Sequence, residues 1–131
     1  MRECVLDASV VLHWFSPARP DSSAGALRLR EEFEAGDVDV TAPSLIHLEI
    51  LNVAGRRWEW GADALAELGE ALEDLGFDLV EPDLAAVGRW VAAGLTAYDA
   101  AYVAVAEAAA IPLVTLDRTI LDAAPAIAQP A

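Results

Sequence analysis

Four acids, Asp7, Glu49, Asp99 and Asp117, stand at the edges of apolar segments, where a soluble domain ordinarily places neutral side chains. Asp7 closes the run Cys4-Val5-Leu6, and Glu49 lies inside Leu45-Ile46-His47-Leu48-Glu49-Ile50-Leu51. Asp99 follows Thr96-Ala97-Tyr98, and Asp117 follows Pro112-Leu113-Val114-Thr115-Leu116. Gathered by a fold, they would form a cage of oxygen ligands. Several ionised carboxylates cannot share a partly desolvated pocket without a counter-charge, and hard oxygen donors select Mg²⁺ or Mn²⁺ over softer ions. Two hydroxyls strengthen the pattern. Ser9 lies two residues after Asp7 and Thr115 two before Asp117, close enough to hold a carboxylate or a water in place. Each acid alone has a structural reading: Asp7 and Asp117 as helix caps or Asx turns, Asp99 as a dipole partner, Glu49 paired with Arg56 or Arg57. The four together point to a metal site.

Other chemistries fit less well. His13 lies in the apolar segment Val10-Val11-Leu12-His13-Trp14-Phe15, and His47, two residues from Glu49, falls on a different helical face, so packing or surface roles suit both. One cysteine and two histidines at no zinc spacing argue against a zinc site, and Cys4 in the first apolar run reads as a core residue. All eight bases are arginines against twenty-two acids, for a net charge of −14. The absence of lysine excludes a Walker A loop and Schiff-base catalysis. Such acidity also argues against metal-free electrostatic binding of nucleic acid, leaving local handling of a polyanion by divalent cations.

The elements that must position these groups alternate between apolar strands and amphipathic helices over a length expected of one domain, residues 1–131. Residues 3–6 read as a fully buried strand, and Val10–Phe15 as a short helix capped at Ala8-Ser9 and ended by Pro17 and Pro20. Asp21-Ser22-Ser23 caps a second helix to about residue 35, and 39–42 is a strand. A third helix runs from Ser44 to about Trp58, a fourth over 62–75 with Gly76 at its end, and 77–80 is a strand. Helices follow over 84–93 and from Thr96 to about residue 110, then a strand over 112–115. One turn at 117–121 and an edge strand at 126–129 are the expectation for the Ala- and Pro-rich end. Asp7 and Asp117 then lie beyond the C-terminal ends of two strands, where open parallel sheets build their sites. Glu49, mid-helix among apolar neighbours, points inward and needs a compensating group. Trp58 and Trp60, beside Arg56 and Arg57, read as an interface as readily as core. No secretory leader is read at the start and no apolar stretch is long enough for a membrane span, so a cytoplasmic location is expected.

At these residues the chain resembles the PIN-domain family, and within it the VapC-type ribonuclease toxins of toxin–antitoxin pairs. Val5-Leu6-Asp7-Ala8-Ser9 is similar to the family's opening strand and first acid, Ala42-Pro43-Ser44-Leu45 with Leu48-Glu49 to the helix bearing the second, Leu95-Thr96-Ala97-Tyr98-Asp99-Ala100-Ala101-Tyr102 to the third, and Val114-Thr115-Leu116-Asp117-Arg118 to the fourth. The resemblance implies an α/β three-layer sandwich with a central parallel sheet flanked by helices. It implies Mg²⁺- or Mn²⁺-dependent endoribonuclease activity, with Asp7, Glu49, Asp99 and Asp117 as catalytic and metal-binding residues and Ser9 and Thr115 in support. An RNA substrate, a cognate antitoxin and a homodimer are the implied partners, with no membrane. The strong acidity departs from expectation for an RNA-binding protein, leaving contact with substrate to Arg19, Arg56, Arg57 and Arg118. Two rivals of other classes remain: a non-catalytic domain that keeps the fold as a scaffold, and a Mg²⁺-dependent phosphatase of the haloacid dehalogenase type. The second needs an aspartate where Ser9 stands, and a lysine.

Overall fold

The computed structural model describes residues 2–16 and 23–131. Twelve elements are arranged in the order β1 (Arg2–Leu6), α1 (Ala8–Phe15), α2 (Ala24–Glu34), β2 (Val38–Ala42), α3 (Leu45–Arg56), α4 (Ala62–Glu73), β3 (Asp78–Leu79), α5 (Leu84–Ala92), α6 (Ala97–Ala109), β4 (Leu113–Thr115), α7 (Arg118–Ala123) and β5 (Ala128–Pro130). The five strands form one sheet in the order β3-β2-β1-β4-β5, every pair parallel. Helices flank this sheet, the expected three-layer α/β sandwich. The apolar strands follow from this burial: Val5, Leu6 and Leu113 have no solvent exposure because both faces of the central strands are covered.

The strand order also creates the place where a site can form. From β1 the chain steps outward through β2 to β3, then returns to the opposite side of β1 to lay down β4. The reversal leaves a crevice between the C-terminal ends of β1 and β4, where the connections part to opposite faces. Register aligns Val5 with Leu113 and Leu6 with Val114, so the next pair along is Asp7 and Thr115. Residues more than a hundred positions apart thereby become neighbours.

Several boundaries differ from those expected of the sequence. α1 starts at Ala8, directly after β1, so Asp7 rather than Ala8-Ser9 occupies the cap position, in an extended conformation and without a side-chain bond to a helix backbone amide. β3 is only two residues long, as an edge strand with a single partner can be. α7 extends through Ala123, beyond a single turn, and the last strand is shifted to 128–130, where β4 receives it in parallel. The expected α2 cap holds at Ser23, whose hydroxyl accepts from the Ala26 amide at 3.2 Å. Pro17, Arg19, Pro20, Asp21 and Ser22 lie outside the described residues. Where glycine usually ends a helix, α6 ends on Ala110 in the left-handed region (φ 56°), with Pro112 two residues on.

Beneath α1 and α2, Trp14 stacks on Phe33 with ring centroids 5.7 Å apart, and Phe77 meets both rings edge-on. The Trp14 indole N–H donates to the Ala26 carbonyl at 2.8 Å. This cluster ties the first two helices to each other and to the approach to β3. No helix among the described residues is long and apolar enough to cross a membrane.

Candidate active site

Asp7 and Thr115 are the two buried polar or charged residues among those described, and they are bonded to each other. Thr115 Oγ1 donates to Asp7 Oδ2 at 2.7 Å, the contact that the β1–β4 register brings about. Ser9 Oγ donates to the other oxygen, Oδ1, at 2.6 Å. Ser9 and Thr115 also lie 3.3 Å apart, but each hydroxyl has one proton and each already gives it to Asp7. Both hydroxyls then serve as acceptors, Ser9 for the Leu116 amide at 2.9 Å and Thr115 for the Asp117 amide at 2.9 Å. Ser9 and Thr115 thus lock Asp7 to the start of the β4–α7 turn.

The other three acids approach from separate elements. Asp117 is the cap of α7, its Oδ1 accepting from the Thr119 amide at 2.8 Å, so the capping reading holds for one of its oxygens. Asp99 sits in the first turn of α6, where Thr96 is the cap and accepts from the Asp99 amide at 3.1 Å. Glu49, half-buried in the middle of α3, accepts from the Tyr102 hydroxyl at 2.5 Å. Tyr102 is the group that sequence reasoning misses. Its position three residues after Asp99 on the same helix is the available signal, since that spacing puts both side chains on one face. The suggested pairing of Glu49 with Arg56 or Arg57 is not found: the ion pairs among the described residues are Arg2–Glu32 and Arg30–Glu34.

Three of the acids are shifted by the charge of another. Burial pushes Asp7 up to about 6; the Ser9 and Thr115 hydroxyls oppose the shift, and the charges of Asp117 and Asp99 add to it. Glu49 is raised by burial, held down in part by the Tyr102 hydroxyl, and raised further by Asp99. Asp99 is likewise raised by burial and then by Asp117. Each carboxylate is felt by its neighbours, and no cation among the described residues pairs with any of them. The donors are all oxygens, the surplus charge is negative, and among the described residues hydroxyls and one backbone amide, but no cation, offset it, a set that fits a hard divalent cation. No group of three or more such side chains is drawn to ligand spacing among the described residues.

The histidines stand apart. His13 faces a small cavity of about 230 Å³ with Leu12, Ser16, Val53, Arg57 and Trp58, and its Nδ1 is buried without a partner. Neither His13 nor His47 bonds to an acid among the described residues. A cavity of about 450 Å³ on the α2 face, lined in part by Arg2, Cys4 and Arg28, contains none of the four acids either. Cys4 there is pushed up to about 11 by burial, as suits an inert core thiol.

Trp58 and Trp60 are each partly buried against the core, with ring centroids 5.3 Å apart. Glu59 between them takes a left-handed conformation (φ 56°), which turns the chain sharply between the two rings. Trp60 then lines an open apolar groove of about 510 Å³ with Phe15, Ala64, Leu68 and Ala71, while Trp58 borders the His13 cavity. They are neither simple core nor simple rim.

A parallel sheet with acids at its topological switch point defines an open α/β class whose ligands bind at that edge. The model of the PIN domain matches residues 4–125, and the chain belongs to that family. PIN domains are generally nucleases. Among solved structures, the chain is similar to PAE2754 from Pyrobaculum aerophilum, with 26% identity, a TM-score of 0.69, and coverage of 98% of this chain and 89% of that one. It shares its fold with FitAB bound to an IR36 DNA fragment (19% identity, TM-score 0.67, coverage 97% and 94%) and with FitAcB from Neisseria gonorrhoeae (20%, 0.61, 95% and 95%). No curated protein matches the chain.

Proposed function

We propose that this PIN domain is a Mg²⁺- or Mn²⁺-dependent endoribonuclease of the VapC type, the toxin of a toxin–antitoxin pair. The observation that carries the reading is that charge links the acids, Asp117 and Asp99 raising Asp7, Asp99 raising Glu49 and Asp117 raising Asp99, while no base among the described residues pairs with any of the four. Asp7, Glu49, Asp99 and Asp117 would hold the cation. The chemistry such an ion supplies is activation of water for in-line attack on a phosphodiester and neutralisation of charge at the reacting phosphorus. The chain's own residues prepare for it. Ser9 and Thr115 fix both oxygens of Asp7 without cancelling its charge, and Asp117 keeps one oxygen free of its helix cap.

RNA would be held by the ion and by exposed arginines, with Arg118 in the first turn of α7 beside Asp117, and Arg56 and Arg57 at the end of α3. The groove along Phe15, Trp60 and Leu68 suits an apolar segment of an antitoxin, and a net charge of −14 favours a basic one. A second copy of the chain is the other expected partner. The test is cleavage of RNA by the purified chain in Mg²⁺ or Mn²⁺, with EDTA as the control. Cleavage that EDTA abolishes supports the reading, and cleavage that persists in excess chelator contradicts it.

A further inference from the structure

Tyr102 is among the most buried large side chains in the molecule, yet it carries a polar hydroxyl into that burial. The hydroxyl donates to Glu49 Oε1 at 2.5 Å, across from α6 to α3. The same helix presents Asp99 one turn earlier, so α6 supplies one acid of the site and the donor that holds another. Glu49 lies mid-helix, without a cap or a cation, and its three side-chain torsions would otherwise sample several rotamers. The arrangement repeats what Ser9 and Thr115 do for Asp7. In both cases a hydroxyl steadies the carboxylate and leaves its charge intact, whereas an arginine in the same place would cancel the charge a cation needs.

We propose that Tyr102 is a positioning residue of the acid site: its hydroxyl holds Glu49 in one rotamer through Oε1 and leaves Oε2 as the oxygen free for a divalent cation. The role rests on the metal-site reading under Proposed function, and its consequences differ from those of a ring that only fills the core. The ring packs whether or not the hydroxyl is present. The hydroxyl matters to the cation only while Glu49 is there to be held.

Tyr102→Phe keeps the ring and removes the donor. Titration calorimetry of Mn²⁺ into the full chain should show a dissociation constant weakened about tenfold, the lower end of what lost outer partners of metal ligands do. In a Glu49→Ala background the same change should leave the constant where Glu49→Ala alone puts it. Equal weakening in both backgrounds, or none in either, would overturn the proposal. A second measurement needs no metal. In the EDTA-treated parent, proton NMR should show a slowly exchanging Tyr102 hydroxyl with a nuclear Overhauser contact to the Glu49 side chain. If the parent binds no Mn²⁺, the metal-site reading fails by itself, and this contact decides whether Tyr102 holds Glu49. Its absence overturns the proposal, as it would if Tyr102→Phe did not fold.

Discussion

The two ends of α1 put buried side chains to opposite uses. At its C-terminal end Trp14 is packed between aromatic rings, and its one polar atom is bonded to the Ala26 carbonyl. At its N-terminal end Asp7 is equally buried, but its hydroxyl partners do not offset desolvation and the charges of Asp117 and Asp99. One end is arranged for stability; the other holds like charges together that the metal-free fold would be more stable without. Local conflict of this kind is a pattern in which functional sites are enriched. Mutations at the two ends should therefore differ in sign.

The largest effect is expected at the aromatic end. Trp14→Ala removes a buried ring and its bond to the Ala26 carbonyl, so unfolding in urea should show a loss of about 3–5 kcal/mol. A loss below about 1 kcal/mol would mean that the cluster does not anchor α1 and α2.

Next in size is the pH dependence of the acid end in EDTA. Asp7 titrates near 3.8 when unfolded and about 6 when folded, so the native state binds its proton more tightly. The contribution of this group to stability is therefore present below the unfolded value and is lost as pH rises through about 6. Asp7→Asn lacks the loss. Thermal or urea unfolding should show the variant gaining on the parent between pH 4 and pH 7 by up to an order of 2–3 kcal/mol. A difference that stays flat across that range would refute the burial and crowding of Asp7.

The smallest effect sharpens the contrast. Asp99 is less buried, and its repulsion with Asp117 is partly screened by solvent, so Asp99→Asn should leave the metal-free protein as stable as the parent or slightly more so. The variant should lose RNA cleavage without unfolding. If Asp99 acted only on the dipole of α6, the substitution would instead cost about 0.5 kcal/mol with or without metal.

Much of the fold and of the acid site is legible in the sequence, for reasons that differ by element. The strands β1 and β4 are bounded apolar runs, and the acids just past them stand out because a charge ends each run. Thr96 reads as the cap of α6 from its place before the alanine-rich helix, and its hydroxyl does accept from the Asp99 amide. The bond between Thr115 and Asp7 is not legible, because it depends on β4 pairing with β1, a matter of register rather than of local pattern. Tyr102 is hidden among buried alanines and valines, where an aromatic reads as core filling. The turn at Glu59 is hidden because a glutamate gives no sign of a left-handed backbone. The C-terminal boundaries slip because alanine and proline carry no hydrophobic period there.

The central claim, that the four acids form a cation site, is tested most directly by melting the parent protein in EDTA and again with Mn²⁺ at about a hundred times its dissociation constant. Linkage predicts a gain of about 2.7 kcal/mol and a raised midpoint, smaller in Asp99→Asn, which lacks one ligand. A midpoint that moves with neither Mn²⁺ nor Mg²⁺ would contradict the account.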